Sequence, residues 1–269
     1  MFLSFNYSIV RKEQVVDKDI SKLLKDWSYD PANISARWLE AEDGRRLVQL
    51  RLDLGLFQME ITGRPDGTKP RNCASLLDYY SIALEAAKDD DPPLVLDFDA
   101  CAELQQEAMQ FYYRYLSFYA LHCLDGVIDD TAHNLSIIDL VSEYAEDDDM
   151  AWQFLQFFPY VRMMNARAQA EKAVEAKRFE EAVTVLEYAL EDIRSFWNDH
   201  GDFEMGVESH EVELLTGLLR QVMDKKPKSK SDRLREELET AISQENYEKA
   251  AALRDQLNRL QASVKHPSR

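Results

Sequence analysis

Residues 231–260 read SDRLREELETAISQENYEKAAALRDQLNRL, a run that breaks around Ser243–Asn246 into two short amphipathic segments. Before the break, Leu234, Leu238 and Ala241 recur at three- and four-residue intervals. After it, Ala250, Leu253, Leu257 and Leu260 do the same. That spacing predicts two helices joined by a tight polar turn. A hairpin this small has little apolar surface to bury by itself, so the sequence predicts a seam that needs a partner.

The order Ala241, then Tyr247-Glu248-Lys249-Ala250-Ala251, then Leu253-Arg254-Asp255 resembles the UVR motif of the bacterial excision-repair proteins UvrB and UvrC. The resemblance covers about thirty residues, within 233–262. In that family the motif is a protein-interaction hairpin that pairs with a like hairpin. It also serves for docking in a stress-protease chaperone and in the activator of a protein arginine kinase. The resemblance therefore implies partner binding through Leu234, Leu238, Tyr247, Leu253, Arg254, Leu257 and Leu260. It brings no catalytic activity with it. The phosphate-binding pattern GxxxxGK[ST] of UvrB is missing, and three scattered cysteines cannot form the paired CxxC zinc sites of the kinase activator.

Working outward, DKKPKSKSD at 224–232 is polar, lysine-rich and broken by Pro227, and reads as a linker between a body at 1–223 and the hairpin. An echo of the hairpin precedes it: Ala173, Phe179-Glu180-Glu181 and Ala182 repeat the spacing of Ala241, Tyr247-Glu248-Lys249 and Ala250. The alanines let antiparallel helices approach closely, with Phe179 or Tyr247 plugging the corner. This first copy also resembles one tetratricopeptide unit, but no second unit follows at a 34-residue period, so a solenoid is not expected.

The rest of the body reads mainly α. Helices are expected from Asp17 to Trp27, from Cys73 until DDDPP at 89–93, over 103–124, over 129–144 with Asp130 or Thr131 as cap, and from Met150 through Ala176 with a kink at Pro159. One more is expected from Val212 to Met223, and residues 198–211 read as a loop. Residues 46–62 are the β element: Val48, Leu50, Leu52, Leu54 and Leu56 alternate, then the phase jumps to Phe57, Met59 and Ile61, implying a bulge or hairpin turn beside Gly55. LVLDFD at 94–99 reads as a short strand or a buried linker.

Composition narrows the function classes. Fifty acidic against 32 basic residues give a net charge of −18, which repels phosphate backbones and argues against a broad nucleic-acid surface. Eight glycines and eight prolines in 269 residues favour long helices. Three cysteines that form no CxxC pair and leave one unpaired whatever bonds form, no leader-like N-terminus and no membrane-span-length apolar run point to a cytoplasmic protein, and the UVR resemblance implies a bacterial one.

No residue pattern names a reaction, and no cofactor or metal is expected. Asp97 with Asp99, and Asp129 with His133, are the arrangements closest to a divalent-cation site, yet aspartates at helix boundaries ordinarily act as caps. His122 is expected in the core. Arg64, Asp66 and Arg71 in the turn-rich stretch after the β element are ligand-site candidates. The function expected is a non-enzymatic adaptor that docks a protein partner or itself through the hairpin. The alternative is an auxiliary excision-repair factor contacting DNA or repair proteins.

Overall fold

A computed structural model describes residues 19–201, 207–227 and 230–265 of the chain. Asp17, residues 202–206 of the expected loop 198–211, Lys228 and the residues from His266 lie outside them. The fold is mainly α with a small N-terminal antiparallel sheet. In chain order the elements are α1 (Ser21–Lys25), β1 (Ala36–Glu40), β2 (Arg46–Arg51), β3 (Leu56–Glu60), α2 (Leu76–Ala86), α3 (Phe98–Ala120), α4 (Leu124–Tyr144), α5 (Asp148–Leu155), α6 (Phe158–Glu175), α7 (Phe179–Asp199), α8 (His210–Lys225), α9 (Lys230–Ser243) and α10 (Tyr247–Lys265). No helix among the described residues is long and apolar enough to cross a membrane.

The β element is larger than expected. Residues 46–62 supply β2 and β3 with a turn around Gly55, closed by the Leu52 N–H on the Gly55 carbonyl. A first strand, β1, pairs with β2 in register Trp38↔Val48. Only part of the alternation faces inward. Val48, Leu50 and Met59 are buried against α3, whereas Leu54 sits in the turn, 89 % exposed. The other face carries a polar ladder, Arg37 to Gln49 to Gln58, at 2.8 and 2.9 Å. Trp27 covers its edge under the Arg37 guanidinium.

Behind the sheet, α3, α4, α6, α7 and α8 pack in succession, and α6 touches α4, α7 and α8. Such placement leaves α6 no solvent-facing stripe along much of its length, so it is lined with small residues: Ala166, Ala168, Ala170 and Ala173 are all buried. Pro159 does not kink a continuous helix. The chain breaks at Gln156–Phe157 and Pro159 stands in the first turn of α6, where its missing N–H costs nothing.

Two expectations about α4 are corrected. The helix begins at Leu124, not near 129, so Asp130 and Thr131 lie in its interior as buried residues. Asp130 takes a bidentate ion pair from buried Arg114 at 2.6 and 2.8 Å, and burial pushes its carboxyl up against that pull. Thr131 donates to the Val127 carbonyl. His122 is not core. It ends the α3–α4 turn with φ of +55°, its ring exposed and paired with Glu175.

A buried polar layer ties the turn-rich stretch after β3 to these helices. Glu107 on α3, fully buried, accepts the N–H groups of Leu76 and Leu77 at 2.7 and 3.0 Å, capping α2 from a neighbouring helix. Its charge is balanced by Arg64 at 3.1 Å and met by His133, whose ring stacks on Phe111. Burial pushes the Glu107 carboxyl up, but the bonds from His133, Leu76 and Leu77 outweigh it and lower it. Arg64 also grips Asp66, Arg71 grips Glu103, and Arg114 donates to the carbonyls of Glu60 and Gly63. Arg64, Asp66 and Arg71, considered for a ligand site, are thus committed to internal partners.

Candidate docking site

The hairpin is built as its sequence suggests. In α9, Leu234, Leu238 and Ala241 fall on one stripe; in α10, Ala250, Leu253 and Leu257 fall on another. The two stripes face each other, and Leu234, Ala241, Ala250, Leu253 and Leu257 are buried as a cluster of their own with Leu238 at its edge. The expected open seam is therefore corrected: each helix covers the other's leucines, because the small side chains of Ala241 and Ala250 bring the backbones close at the corner. Among the described side chains, apolar burial is shared within the pair.

The corner has a defined geometry. Helix α9 ends with the Asn246 N–H on the Ala241 carbonyl at 2.8 Å and the Glu245 N–H on the Ile242 carbonyl at 3.0 Å, with Glu245 in the left-handed region at φ +55°. These are the two bonds of a Schellman motif, made here without its usual glycine. The α6–α7 corner repeats it atom for atom: Arg178 N–H on Ala173, Lys177 N–H on Val174, Lys177 at φ +58°. The α3–α4 corner does so again, with Cys123 N–H on Phe118, His122 N–H on Tyr119 and His122 left-handed. The echo seen in sequence is a shared structural unit, and the chain holds a third copy that sequence spacing did not reveal.

What differs is the covering. At the first position of the outgoing helix stand Leu124, Phe179 and Tyr247: Leu124 is buried, Phe179 packs against the core, and Tyr247 is 69 % exposed. Three residues before the left-handed residue stand Tyr119, Val174 and Ile242; the first two pack against the core and Ile242 is 52 % exposed. Tyr247 does not plug its corner as Phe179 does. Of the other expected contact residues, Leu234, Leu253 and Leu257 lie in the seam, and Leu238 at its rim. Arg254 is exposed beside Asp255 at 3.6 Å, a contact worth about 0–1 kcal/mol. The backbone of Leu260 is helical, in the second half of α10. Ile242 was missed in sequence; its signal was its match to Val174 in the echo.

Two of the four cation-site candidates, Asp97 and His133, have other partners. Asp97 caps α3 through the N–H group of Ala100, and His133 meets Glu107. Among the described residues no group of His, Cys, Asp and Glu side chains is arranged to hold a metal. Helix α8 runs to Lys225 and α9 starts at Lys230, on either side of Pro227 in the expected linker 224–232. Lys226 reaches back to Glu180 at 3.0 Å.

Residues 228–263 match the family model of the UvrB/uvrC motif, a module of the UvrB/UvrC interaction type. No family model matches the body that precedes it. No curated protein and no solved structure matches the chain.

Proposed function

We propose that this protein is a non-enzymatic adaptor whose residues 1–223 form a body, with 224–232 a tether and 233–262 the docking hairpin. The hairpin takes a helical partner protein or a second copy of itself. The observation that carries this reading is the exposure of Ile242 and Tyr247 at positions whose counterparts, Val174 and Phe179, are covered by the protein's own core. In the body, Val174 lies beside Leu218 and Val222 of α8, so a helix is the natural cover for this corner. A partner helix laid across the hairpin in the same way would bury both exposed side chains. Arg254, on the second helix, then supplies a charge for orientation more than affinity.

The test compares the full chain with an Ile242→Ser/Tyr247→Ser variant by light scattering and by retention of partners from extract. The variant should keep its thermal melt and lose association. Equal association in both proteins contradicts the reading.

The family match favours a second reading, an auxiliary factor of excision repair that contacts DNA or repair proteins. DNA binding would rest on Lys225, Lys226, Lys228 and Lys230, of which Lys226 is already paired with Glu180. Binding to single-stranded or damaged DNA should weaken steeply with salt. No binding at low salt excludes DNA contact.

A further inference from the structure

Strand β3 has an open edge. The Leu52–Gly55 bond fixes the alternation of its ladder with β2, so the backbone groups of Phe57 and Met59 face β2 and those of Leu56, Gln58 and Glu60 face away. The Glu60 N–H is taken by the Pro65 carbonyl at 2.9 Å. Those of Leu56 and Gln58 meet no backbone partner among the described residues. An uncovered edge of this kind is a template for one more strand.

Beneath that edge the sheet leaves α3 half covered. A groove of about 310 Å³ runs between Phe57, Gln58 and Pro65 on one side and Gln106, Met109 and Tyr113 on the other. Phe57 and Met109 remain 39 % and 43 % exposed there. Met109 and Tyr113 also line the adjoining cavity of about 600 Å³, so large side chains find room. A strand added beside β3 would turn one side toward α3, where apolar side chains are favoured. Its other side would extend the ladder from Arg37 through Gln49 to Gln58, which calls for neutral polar residues.

Residues 3–9 of this chain, LSFNYSI, carry both faces in one stretch: Leu3, Phe5, Tyr7 and Ile9 alternate with Ser4, Asn6 and Ser8, and none is charged. We propose that residues 3–9 dock on the open edge of β3 as a fourth strand, their apolar side over Met109 and Tyr113 and their polar side continuing the ladder from Gln58. The chain is long enough to do so. Seventeen residues separate Ile9 from Trp27, which sits at the β1 edge of the sheet under Arg37. Even with α1 among them they reach about 40 Å, against about 15 Å across three strand spacings. The docked segment would close the edge against pairing with other chains. This surface is separate from the hairpin and stands whether or not the adaptor reading does.

The experiment follows amide hydrogen exchange, residue by residue, in the dilute full-length chain and in a Phe5→Asp/Tyr7→Asp variant. The Leu56 and Gln58 amides should be protected in the parent and exchange at least about tenfold faster in the variant. The Phe57 and Met59 amides, bonded to β2, should stay protected in both, which shows that the sheet is folded. Met109→Glu changes the groove from the other side at an exposed position, and should speed the same two amides. Fast exchange of Leu56 and Gln58 in the parent overturns the proposal, as does protection that survives either set of substitutions. Protection that disappears on dilution together with a dimeric mass would seat the segment of a second copy on the edge, and overturns it as well.

Discussion

The α6–α7 corner and the α9–α10 corner are the same device in two surroundings. Both close with the same pair of backbone bonds, the same left-handed non-glycine residue, and alanines where the helices meet. In the body the corner is wrapped by α4 and α8, so Phe179 and Val174 are drawn into the core. In the tail the corner is packed, among the described residues, by its own two helices, and Tyr247 and Ile242 are exposed. Corner geometry is thus set locally, by short-range bonds and small side chains, while the fate of the flanking apolar residues is set by what packs outside. A unit whose flanking apolar residues are covered in one place leaves them exposed in the other.

The largest expected effect separates the two directly. Ala173→Leu should overpack a site enclosed by three helices and cost about 1–3 kcal/mol of global stability, read from the urea midpoint. Ala241→Leu, at the matching position, should leave that midpoint unchanged and reduce only the helicity of the tail. Equal loss from both would mean that the tail belongs to the body's cooperative unit.

The third corner sharpens the comparison. Gly126, one turn into α4, has no room for a methyl group: a Cβ there would lie 2.4 Å from the Phe118 ring. Phe118 is the residue that takes the place of Ala173 and Ala241, so the bulk missing from those corners is here accommodated by removing it from the opposite helix. Gly126→Ala should destabilise the protein by about 1–2 kcal/mol despite its better helix propensity, measured by denaturant unfolding.

Acid should act on the body and spare the tail. Burial pushes the Asp66 carboxyl up, but the Thr68 N–H, Arg64, Gln110 and the Thr68 hydroxyl more than offset this and bring it down to about 2. A carboxyl depressed in the folded state contributes stability above its ordinary value near 4, and loses it as pH falls toward 2. With discount for its solvent exposure, the contribution is on the order of 1 kcal/mol. Body stability followed from pH 5 to pH 2.5 should fall, and Asp66→Asn should flatten that slope. Glu107, also held low, adds to the loss in the same direction.

These contrasts mark how far sequence carries. The helices were legible because apolar spacing in stretches such as 103–124 is set by one buried face. The tail hairpin and its echo were legible because alanine contacts at fixed spacing leave few alternatives. The start of α4 was not: its boundary is marked by His122 in a conformation usually given to glycine, while the visible glycine, Gly126, serves a close approach inside the helix. Strand β1 escaped because it is short and half-buried on both faces, though Asp43-Gly44 before β2 is a strong hairpin signal, and Gly44 does stand at φ +81°. The buried layer around Glu107 was not legible either, since Arg64, Glu107 and His133 are far apart in sequence and only the packing of α2, α3 and α4 joins them. For the site, spacing found the hairpin and its seam. It could not tell which leucines face inward between the helices and which side chains remain outside.

The central claim is that the tail hairpin folds on its own contacts and is not covered by the body. Native-state hydrogen exchange on the full-length chain tests it most directly. The amides of residues 173–190 should exchange only with global unfolding, while those of 241–257 should exchange much sooner, at rates unchanged by Ala173→Leu. Exchange of both corners in step, shifting together in that variant, would contradict the account.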